Sequence, residues 1–524
     1  MRLRNALLWA MPAVVMIGCG SAADSAASFE AGGPSGAAPP SEGVGPGIPA
    51  EPPPEKEVES DYEAPVATGR FVWVANPKSG RVAYVDATTL QVKTIEAGNA
   101  PTYLAGVPGP NGDTTLVLNV LSEDATLLHA EDSGITSRTF EVARQANSLA
   151  FSSDGRFAIA WADSRKVPGA PRTQGFQDLT VLDLLTGTST ILAVGYRPVA
   201  VGFAAGQLRA YAVTQDGVAI LDLAGVPHVV KNVPVSDTPN EDPGSRDVAV
   251  TPNGAVALIR RDGSAAITAV ALDTGTRATI TLPGPVTDLD LNDKGDRAVA
   301  VVRSTSQVVV LPIPGIVAAP TAFTTVTVTG ETIGSVALSP GGLRGLLYTN
   351  ASEAERVSIL DLSQDPPPFR TVRLYSPVLA VFSAPDAGHA VVLHDKTAGS
   401  GGESGTPGAF SVVPVTNAFP AKIVATLAPP TAVAMTNSRA IIAERDDAKK
   451  VFGAYLARMP QLMVERYPLA SPPIAVGVVA GANRAFIAQE HPDGRLTFID
   501  LDTGVARTLT GFELSSRVVD GSKP

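Results

Sequence analysis

The chain contains a single cysteine, Cys19, among 524 residues. It has no cysteine pair for a disulfide within the chain, and cysteine-ligated metals and cysteine nucleophiles are excluded after position 19. Histidine is nearly as scarce, with five residues in all. His389 and His394 lie five positions apart on one predicted strand, so their side chains point to opposite faces and cannot share a metal ion. We therefore predict neither a metal site nor a bound cofactor.

Motifs of known catalytic machinery are absent as well. The chain has no GxSxG nucleophile motif, no glycine-rich phosphate loop and no EF-hand pattern. Ser404 lies in the low-complexity segment GSGGESGTPG, and the adjacent carboxylates of Asp446 and Asp447 are expected to be solvated in a loop. No catalytic residue is predicted, and a non-enzymatic role is favoured over an enzymatic one.

The basic stripe that nucleic-acid binding requires is missing too. The formal net charge is -11, and residues 20–66 hold nine acidic side chains against Lys56 alone. The repeated region that follows is much closer to neutral. We therefore predict no nucleic-acid partner, because phosphate contacts need clustered Lys and Arg side chains.

Aromatic residues are few, at 5 %, whereas the chain has 49 Gly and 44 Pro. This composition is typical of short strands joined by many turns. From Arg70 onward one pattern recurs about ten times: an apolar run, a polar turn, a second apolar run ending in Asp, and a short third run. The first copy, FVWVANPKSGRVAYVDATTLQVKTIEAGNAPTYLAGV, covers residues 71–107. A long repeat built only of strand-like runs predicts an all-β fold, a β-propeller of four-stranded antiparallel blades.

The apolar runs that follow the turns are hydrophobic at every position, as in residues 158–162, 255–259 and 298–302. A strand with one solvated face would alternate, so these runs predict strands buried on both faces between neighbouring blades. The turns SDG, TPNG, NDKG and SPGG supply the positive φ that tight hairpins require. Because propellers typically carry about four to eight blades, one large ring, two smaller rings and degenerate copies are all alternatives.

The N-terminus, MRLRNALLWAMPAVVMIGCG, combines two arginines with a short apolar run. The run is too short to span a bilayer, which predicts a signal peptide and not an anchor helix. The motif MIGC, ending at Cys19, resembles a bacterial lipobox. This resemblance implies a lipoprotein signal peptide over residues 1–18, a lipid on Cys19 and a membrane attachment in the bacterial cell envelope. Gly20 favours the outer membrane, and several acyl chains would make the anchor durable.

Residues 19–66 are rich in Ala, Gly, Ser, Pro and Glu and lack apolar periodicity. Such a segment cannot form a core, so we predict a disordered linker ahead of a propeller domain at residues 67–524.

The repeats resemble the YVTN-type propeller family through VWVANPKSGRVAYVDATTLQVKTIEAGNAP and weaker copies over most of residues 70–520. Blades of that family run from an innermost strand a to an outermost strand d. Phased in this way, the chain starts at strand b with residues 71–76, and residues 102–107 open the next blade. The resemblance implies that residues 516–520 return as the missing strand a, closing the ring with both termini in one sheet.

The aspartates that end many c strands recur too often to form one active site. We predict that each caps the turn that follows it through its side chain. These residues are Asp86, Asp183, Asp222, Asp273, Asp361 and Asp500.

The longest insertions, residues 162–177, 234–245 and 395–409, are all connections of the b–c or d–a type. Because strands alternate in direction, such connections share one face of the disc. Long loops on a rigid scaffold often carry binding sites. The predicted binding-face residues are Arg165, Lys166 and Arg172 of the first loop, which could pair with Asp237, Glu241 and Asp242 of the second loop or with a ligand.

The favoured function is therefore a lipid-anchored binding or scaffold module that contacts a protein or an envelope polymer through this face. A lactonase-like hydrolase, which the resemblance suggests because some related propellers have that activity, is one alternative. It would need acidic and His side chains that converge at the propeller axis. A structural protein of the cell surface is another alternative, and fold analogy alone does not decide among the three.

Overall fold

The computed structural model of the chain describes residues 64–511 except residues 110–111, 132–133, 167–176, 227, 239–240, 375 and 395–405. Within them, forty strands form ten four-stranded antiparallel sheets, which are the blades of a β-propeller. In every blade the four strands are consecutive in the chain, from strand a to strand d. The predicted all-β propeller is confirmed.

The first five blades comprise β1 (Val66–Ala67), β2 (Phe71–Asn76), β3 (Arg81–Asp86), β4 (Val92–Glu96); β5 (Pro101–Gly106), β6 (Thr114–Asn119), β7 (Asp124–Glu131), β8 (Gly134–Glu141); β9 (Ser148–Phe151), β10 (Phe157–Trp161), β11 (Asp178–Asp183), β12 (Thr188–Ala193); β13 (Ala200–Phe203), β14 (Arg209–Thr214), β15 (Gly217–Asp222), β16 (Val229–Val233); and β17 (Arg246–Val250), β18 (Val256–Arg261), β19 (Ala266–Ala271), β20 (Arg277–Thr281). The last five comprise β21 (Asp288–Leu291), β22 (Arg297–Val302), β23 (Gln307–Pro312), β24 (Thr324–Thr327); β25 (Ser335–Leu338), β26 (Arg344–Tyr348), β27 (Arg356–Asp361), β28 (Phe369–Arg373); β29 (Val378–Ser383), β30 (His389–His394), β31 (Gly408–Pro414), β32 (Lys422–Thr426); β33 (Pro430–Met435), β34 (Arg439–Asp446), β35 (Val451–Arg458), β36 (Met463–Pro468); and β37 (Pro473–Val479), β38 (Arg484–Gln489), β39 (Arg495–Asp500), β40 (Ala506–Thr510). Single turns of 3-10 helix occur at Ser164–Lys166, Pro243–Ser245, Arg303–Thr305, Gly315–Val317 and Ala480–Ala482.

Each blade buries both of its faces against its neighbours. In β22 of blade 6, Val299 and Val301 pack against blade 7, whereas Ala298, Ala300 and Val302 pack against blade 5. All five side chains are fully buried. The uninterrupted apolar runs of the sequence therefore reflect burial on both sides of the sheet, as predicted.

The ten blades form one closed ring. Ten hydrophobic clusters each join two neighbouring blades, and one of them joins blade 10 to blade 1. At that junction Val72 and Val74 pack with Phe486 and Phe498. A single ring of ten blades thus replaces the alternatives of two rings or degenerate copies.

The predicted strand phase is confirmed, but the predicted closure is not the one observed. Residues 71–76 form strand b of blade 1, and β5 opens blade 2. However, strand a of blade 1 is β1, which pairs with β2 through Val66–Trp73 and Ala67–Val72. Residues 516–520, predicted to fill that position, lie outside the described residues. Within the described residues, blades 1 and 10 are each built from their own four consecutive strands, so the ring closes there by packing and inter-blade hydrogen bonds without a shared sheet.

The a–b turns have the conformation that their glycines predict. The φ angles of Gly155, Gly254, Gly295 and Gly342 are 69°, 67°, 68° and 68°. Gly155 also lies so close to blade 2 that an added Cβ would be 2.0 Å from the carbonyl oxygen of Pro108. A side chain at position 155 would therefore meet both an unfavourable φ and a backbone clash.

Candidate binding face

Antiparallel pairing separates the connections of the propeller onto two faces. We call the side that carries the b–c and d–a connections the loop face, and the side that carries the a–b and c–d connections the turn face. Residues 162–177 follow strand b of blade 3, residues 234–245 join blades 4 and 5, and the segment from residue 395 follows strand b of blade 8. All three long segments therefore lie on the loop face, as predicted. Residues 167–176, which include Arg172, and residues 395–405 lie outside the described residues.

Glu241 anchors the loop at residues 234–245 to the ring. Its carboxylate accepts hydrogen bonds of 2.6 Å from Arg246 Nη1 and from Arg261 Nε. Arg246 has a fully buried side chain, and its Nη2 also donates to the carbonyl oxygens of Thr214 and Gln215 in blade 4. Partial burial raises the pKa of Glu241, but the hydrogen bonds from Arg261 and Arg246 outweigh this and lower it to about 2.

The other acidic residues of this loop also pair with arginines of the ring. Asp242 lies 3.3 Å from Arg197 Nη1 in the connection between blades 3 and 4, and Asp237 pairs with Arg277 of strand d in blade 5. The three predicted acidic residues therefore fasten their loop across blades 3 to 5. This pairing gives the loop a fixed base.

Of the predicted basic residues, Arg165 and Lys166 have partners nearer to them than the second loop. Arg165 forms a two-point ion pair with Asp163, with distances of 2.9 and 2.7 Å, and also donates to the carbonyl oxygen of Val199. Lys166 Nζ lies 3.5 Å from the carbonyl oxygen of Asn147. The two loops are linked indirectly through the connection between blades 3 and 4. Arg165 contacts Val199 in this connection, and Arg197 in the same connection pairs with Asp242 of the second loop.

The turn face has a different organisation, in which arginines at the start of b strands hold neighbouring blades together. Arg484 of blade 10 donates to the carbonyl oxygens of Ala87 and Thr88 in blade 1, at 2.5 and 3.1 Å. Arg439 reaches the carbonyl oxygen of Leu501 in the same way, at 3.0 Å. Arg297 donates to the carbonyl oxygen of Leu362 at 2.5 Å, and Arg209 donates to the carboxylate of Asp273 at 2.9 Å. We missed this inter-blade contact in the sequence, although its signal, an Arg just before the apolar b strand, recurs there.

The aspartates that end c strands act mainly as caps, as predicted. Asp86 Oδ1 accepts hydrogen bonds from the backbone N–H groups of Thr88 and Thr89, at 2.8 and 3.1 Å. The same cap is formed by Asp183, Asp222, Asp361 and Asp500. The prediction is wrong for Asp273, because strand c of blade 5 ends two residues before it and its carboxylate instead accepts a hydrogen bond from Arg209. These carboxylates are thus part of the turn face's structure.

The turn face also carries one long connection, residues 313–323, which joins strands c and d of blade 6. Its Ile313 and Ile316 pack into the hydrophobic cluster between blades 5 and 6. This connection is therefore part of the core, unlike a loop that is free to vary.

No histidine lies on an innermost strand. His394 is buried in β30 between the Pro377 carbonyl oxygen, 2.9 Å from Nδ1, and Ser411 Oγ, 2.7 Å from Nε2. Burial lowers its pKa. The other four histidines lie on strand b or c or in connections, at positions 129, 228, 389 and 491.

The carboxylates on innermost strands make structural contacts. Asp288 and Asp290 of blade 6 accept hydrogen bonds of 2.8 and 2.9 Å from the backbone N–H groups of Val336 and Leu338 in strand a of blade 7. Asp247 of blade 5 pairs with Arg260. Among the described residues, no three His, Cys, Asp or Glu side chains are grouped so that they could hold a metal ion.

A polar cleft of about 400 Å³ lies on the loop face at blade 7. It is lined by the d–a connection before blade 7 and by that blade's b–c connection, with Glu331, Glu353, Glu355, Arg356 and Arg373 among its walls. Arg356 and Glu331 pair across it at 2.9 Å. The part of the chain that the structure describes contains no helix long and apolar enough to cross a membrane.

No protein-family model matches the chain, and no curated protein matches it. Solved structures that resemble it include Kuenenia stuttgartiensis hydrazine synthase, with 17 % identity over 62 % of this chain and 99 % of that one and a TM-score of 0.31. Another is the dihydro-heme d1 dehydrogenase NirN in complex with DHE, with 14 % identity over 80 % of this chain and 76 % of that one and a TM-score of 0.43. A third is the β-propeller domain of Myceliophteria thermophila Cps50 (Swd1), with 12 % identity over 65 % of this chain and 96 % of that one and a TM-score of 0.35. These likenesses concern the propeller fold alone and carry no argument about function.

Proposed function

We propose that this protein is a lipid-anchored module of the bacterial cell envelope that binds a protein or an envelope polymer through its loop face. The observation that carries the proposal is the difference between the two faces. The loop face carries the three long segments, and Glu241, Asp242 and Asp237 fix the base of one of them to the ring. The turn face uses its arginines and aspartates for its own contacts. A preorganised loop base on a rigid ring favours binding, because little order must be gained when the partner arrives.

The contacts at the innermost strands favour binding over the lactonase-like alternative. Asp288 and Asp290 are engaged by backbone N–H groups of the next blade, and Asp247 by Arg260. A general acid or base must be free to exchange a proton with a substrate. These three carboxylates make structural contacts within the ring, so they give no support to the lactonase-like alternative.

The proposed localisation at the cell envelope depends on the attachment of lipid to Cys19. In cells that process bacterial lipoproteins, Cys19→Ser is expected to abolish incorporation of radiolabelled lipid and to leave an uncleaved or soluble product, because the acceptor thiol is lost. The matched control is Ser21→Ala, which leaves the MIGC motif intact and should be labelled like the native chain. Lipid incorporation into the Cys19→Ser variant would contradict the proposed anchor.

The proposed binding face depends on its long loops. Replacing residues 167–176 by a short Gly-Ser turn is expected to leave the melting temperature nearly unchanged, because β10 and β11 pair up to Trp161–Leu179 without that segment and closure entropy varies slowly with loop length. Recovery of the native partner from solubilised membranes should fall by about tenfold or more, as for a lost interface anchor. The control is the replacement of residues 363–367 on the turn face by the same Gly-Ser turn, which should leave partner recovery intact. Equal recovery by both variants would contradict a role for this loop.

A further inference from the structure

Five arginines lie near the loop-face ends of b strands, at different positions relative to the end of the strand. Four have carboxylate partners: Arg165 pairs with Asp163, Arg260 with Asp247, Arg261 with Glu241 and Arg445 with Glu490. Arg303, at the end of strand b in blade 6, is the exception. No hydrogen bond or ion pair among the described residues involves its guanidinium, and its Nε is buried without an acceptor.

Gly334 makes room for this guanidinium in the connection that enters blade 7. A Cβ added at Gly334 would be 2.4 Å from Arg303 Nη2 and 2.5 Å from its Nε. The φ of Gly334 lies outside the left-handed region, so its backbone does not require glycine, and the missing side chain lets the guanidinium approach this closely. The glycine's own backbone is held, because its N–H donates to the carbonyl oxygen of Tyr348 and its carbonyl oxygen accepts from Thr287 Oγ1, both at 2.9 Å.

A partly buried cation without a counterion destabilises a protein. Residues that weaken the fold in this way are often retained for binding or catalysis. Arginine in particular presents a planar set of N–H donors that matches carboxylate and phosphate oxygens. The position of Arg303 therefore fits an anionic ligand group better than it fits a structural role.

We propose that Arg303, whose guanidinium packs against Gly334, binds an anionic group at the junction of blades 6 and 7. This group is a carboxylate or a phosphate. The inference deepens the proposed function, on which its biological meaning rests, because it predicts a loop-face partner that carries anionic groups.

The test is thermal unfolding of the purified full-length protein, titrated with inorganic phosphate in one series and acetate in another, at constant ionic strength set with chloride. A ligand that binds only the folded state raises the melting temperature in a saturable way. We expect such a rise with at least one of the two anions, up to about 50 mM, and its loss in Arg303→Gln. In Gly334→Ala the charge of Arg303 remains, but the added methyl group occupies the space where the guanidinium lies. The apparent affinity for the anion should therefore fall at least tenfold. The anion that produces the rise identifies the group.

Arg445→Gln is the matched control, since Arg445 also lies near the loop-face end of strand b, in blade 9, but pairs with Glu490. It should keep the anion-dependent rise while lowering the melting temperature without anion. Arg303→Gln should leave that temperature unchanged or raise it, because an unpaired cation is removed. An equal anion response in Arg303→Gln, no response to either anion, or a loss of stability as large as in Arg445→Gln would overturn the inference. Cross-linking of a partner from the loop face tests the proposed function separately, so either can fail while the other stands.

Discussion

Replacing Phe486 by alanine is expected to destabilise the ring by about 3–5 kcal/mol, the usual cost of truncating a fully buried phenylalanine. Phe486 is completely buried in the cluster that joins blade 10 to blade 1, where it packs with Val72 and Val74. Among the described residues no strand is shared between these blades, so this side-chain packing and the hydrogen bonds from Arg484 to blade 1 carry the closure. The loss should appear as a lower denaturant midpoint in equilibrium unfolding.

Phe419→Ala provides the matched control for this prediction. Phe419 is 70 % exposed on the turn face of blade 8, so its truncation should change stability by no more than about 0.5 kcal/mol. If Phe486→Ala were as mild as Phe419→Ala, the two end blades would not be packed together. The ring would then be open at that junction.

Protonation of Glu241 is expected to weaken the protein in acid by up to about 3 kcal/mol, from 1.36 kcal/mol for each pKa unit. The pKa of this carboxyl is about 2 in the folded protein, against an ordinary value of 4.5. Because the folded pKa is the lower one, its stabilising contribution is complete above pH 4.5 and is lost as the pH falls toward 2. Glu241→Gln should therefore be less stable than the native chain at pH 6, and the difference should shrink to near zero at about pH 2.

The control for the acid experiment is Glu123→Gln. Glu123 lies on the same face, is 46 % exposed and is 3.6 Å from Arg144, so its removal should cost about 0.5 kcal/mol or less at every pH. Parallel pH profiles for the native chain and Glu241→Gln would show that the Arg246 and Arg261 contacts do not favour the ionised carboxylate. The fixed loop base would then lose its main support.

The repeat predicted the blades well because each blade repeats the same local chemistry. Apolar runs such as residues 298–302, glycines such as Gly155 and turn caps such as Asp86 all act within one blade or at its contact with the next. Periodicity in one chain records such contacts directly. For the same reason the strand phase could be assigned without a structure.

The closure could not be predicted in the same way because it depends on a weak local signal. Strand a of blade 1 is only Val66–Ala67, preceded by Pro65, whose missing N–H cannot extend the ladder. Its composition merges with that of the linker before it. Residues 516–520 have the stronger strand pattern, which made them the more attractive candidate for that position.

The partners of the loop residues depend on distances between blades, which spacing in the sequence does not contain. Arg165 pairs with Asp163 two residues away, whereas Asp242 pairs with Arg197 of another connection. The alternation of strand directions predicted that the two long loops share a face, and the face is shared. The individual pairs follow from which blade edge each loop reaches first.

Site-specific photo-cross-linking in cells tests the binding face most directly. A benzoylphenylalanine placed at Leu121 or Leu427 on the loop face is compared with one at Leu185 or Phe419 on the turn face, where the native side chains have similar exposure, at 77, 57, 74 and 70 %. Our account predicts discrete cross-linked products from the two loop-face positions and none from the two turn-face positions. Discrete products from the turn-face positions, with none from Leu121 and Leu427, would contradict it.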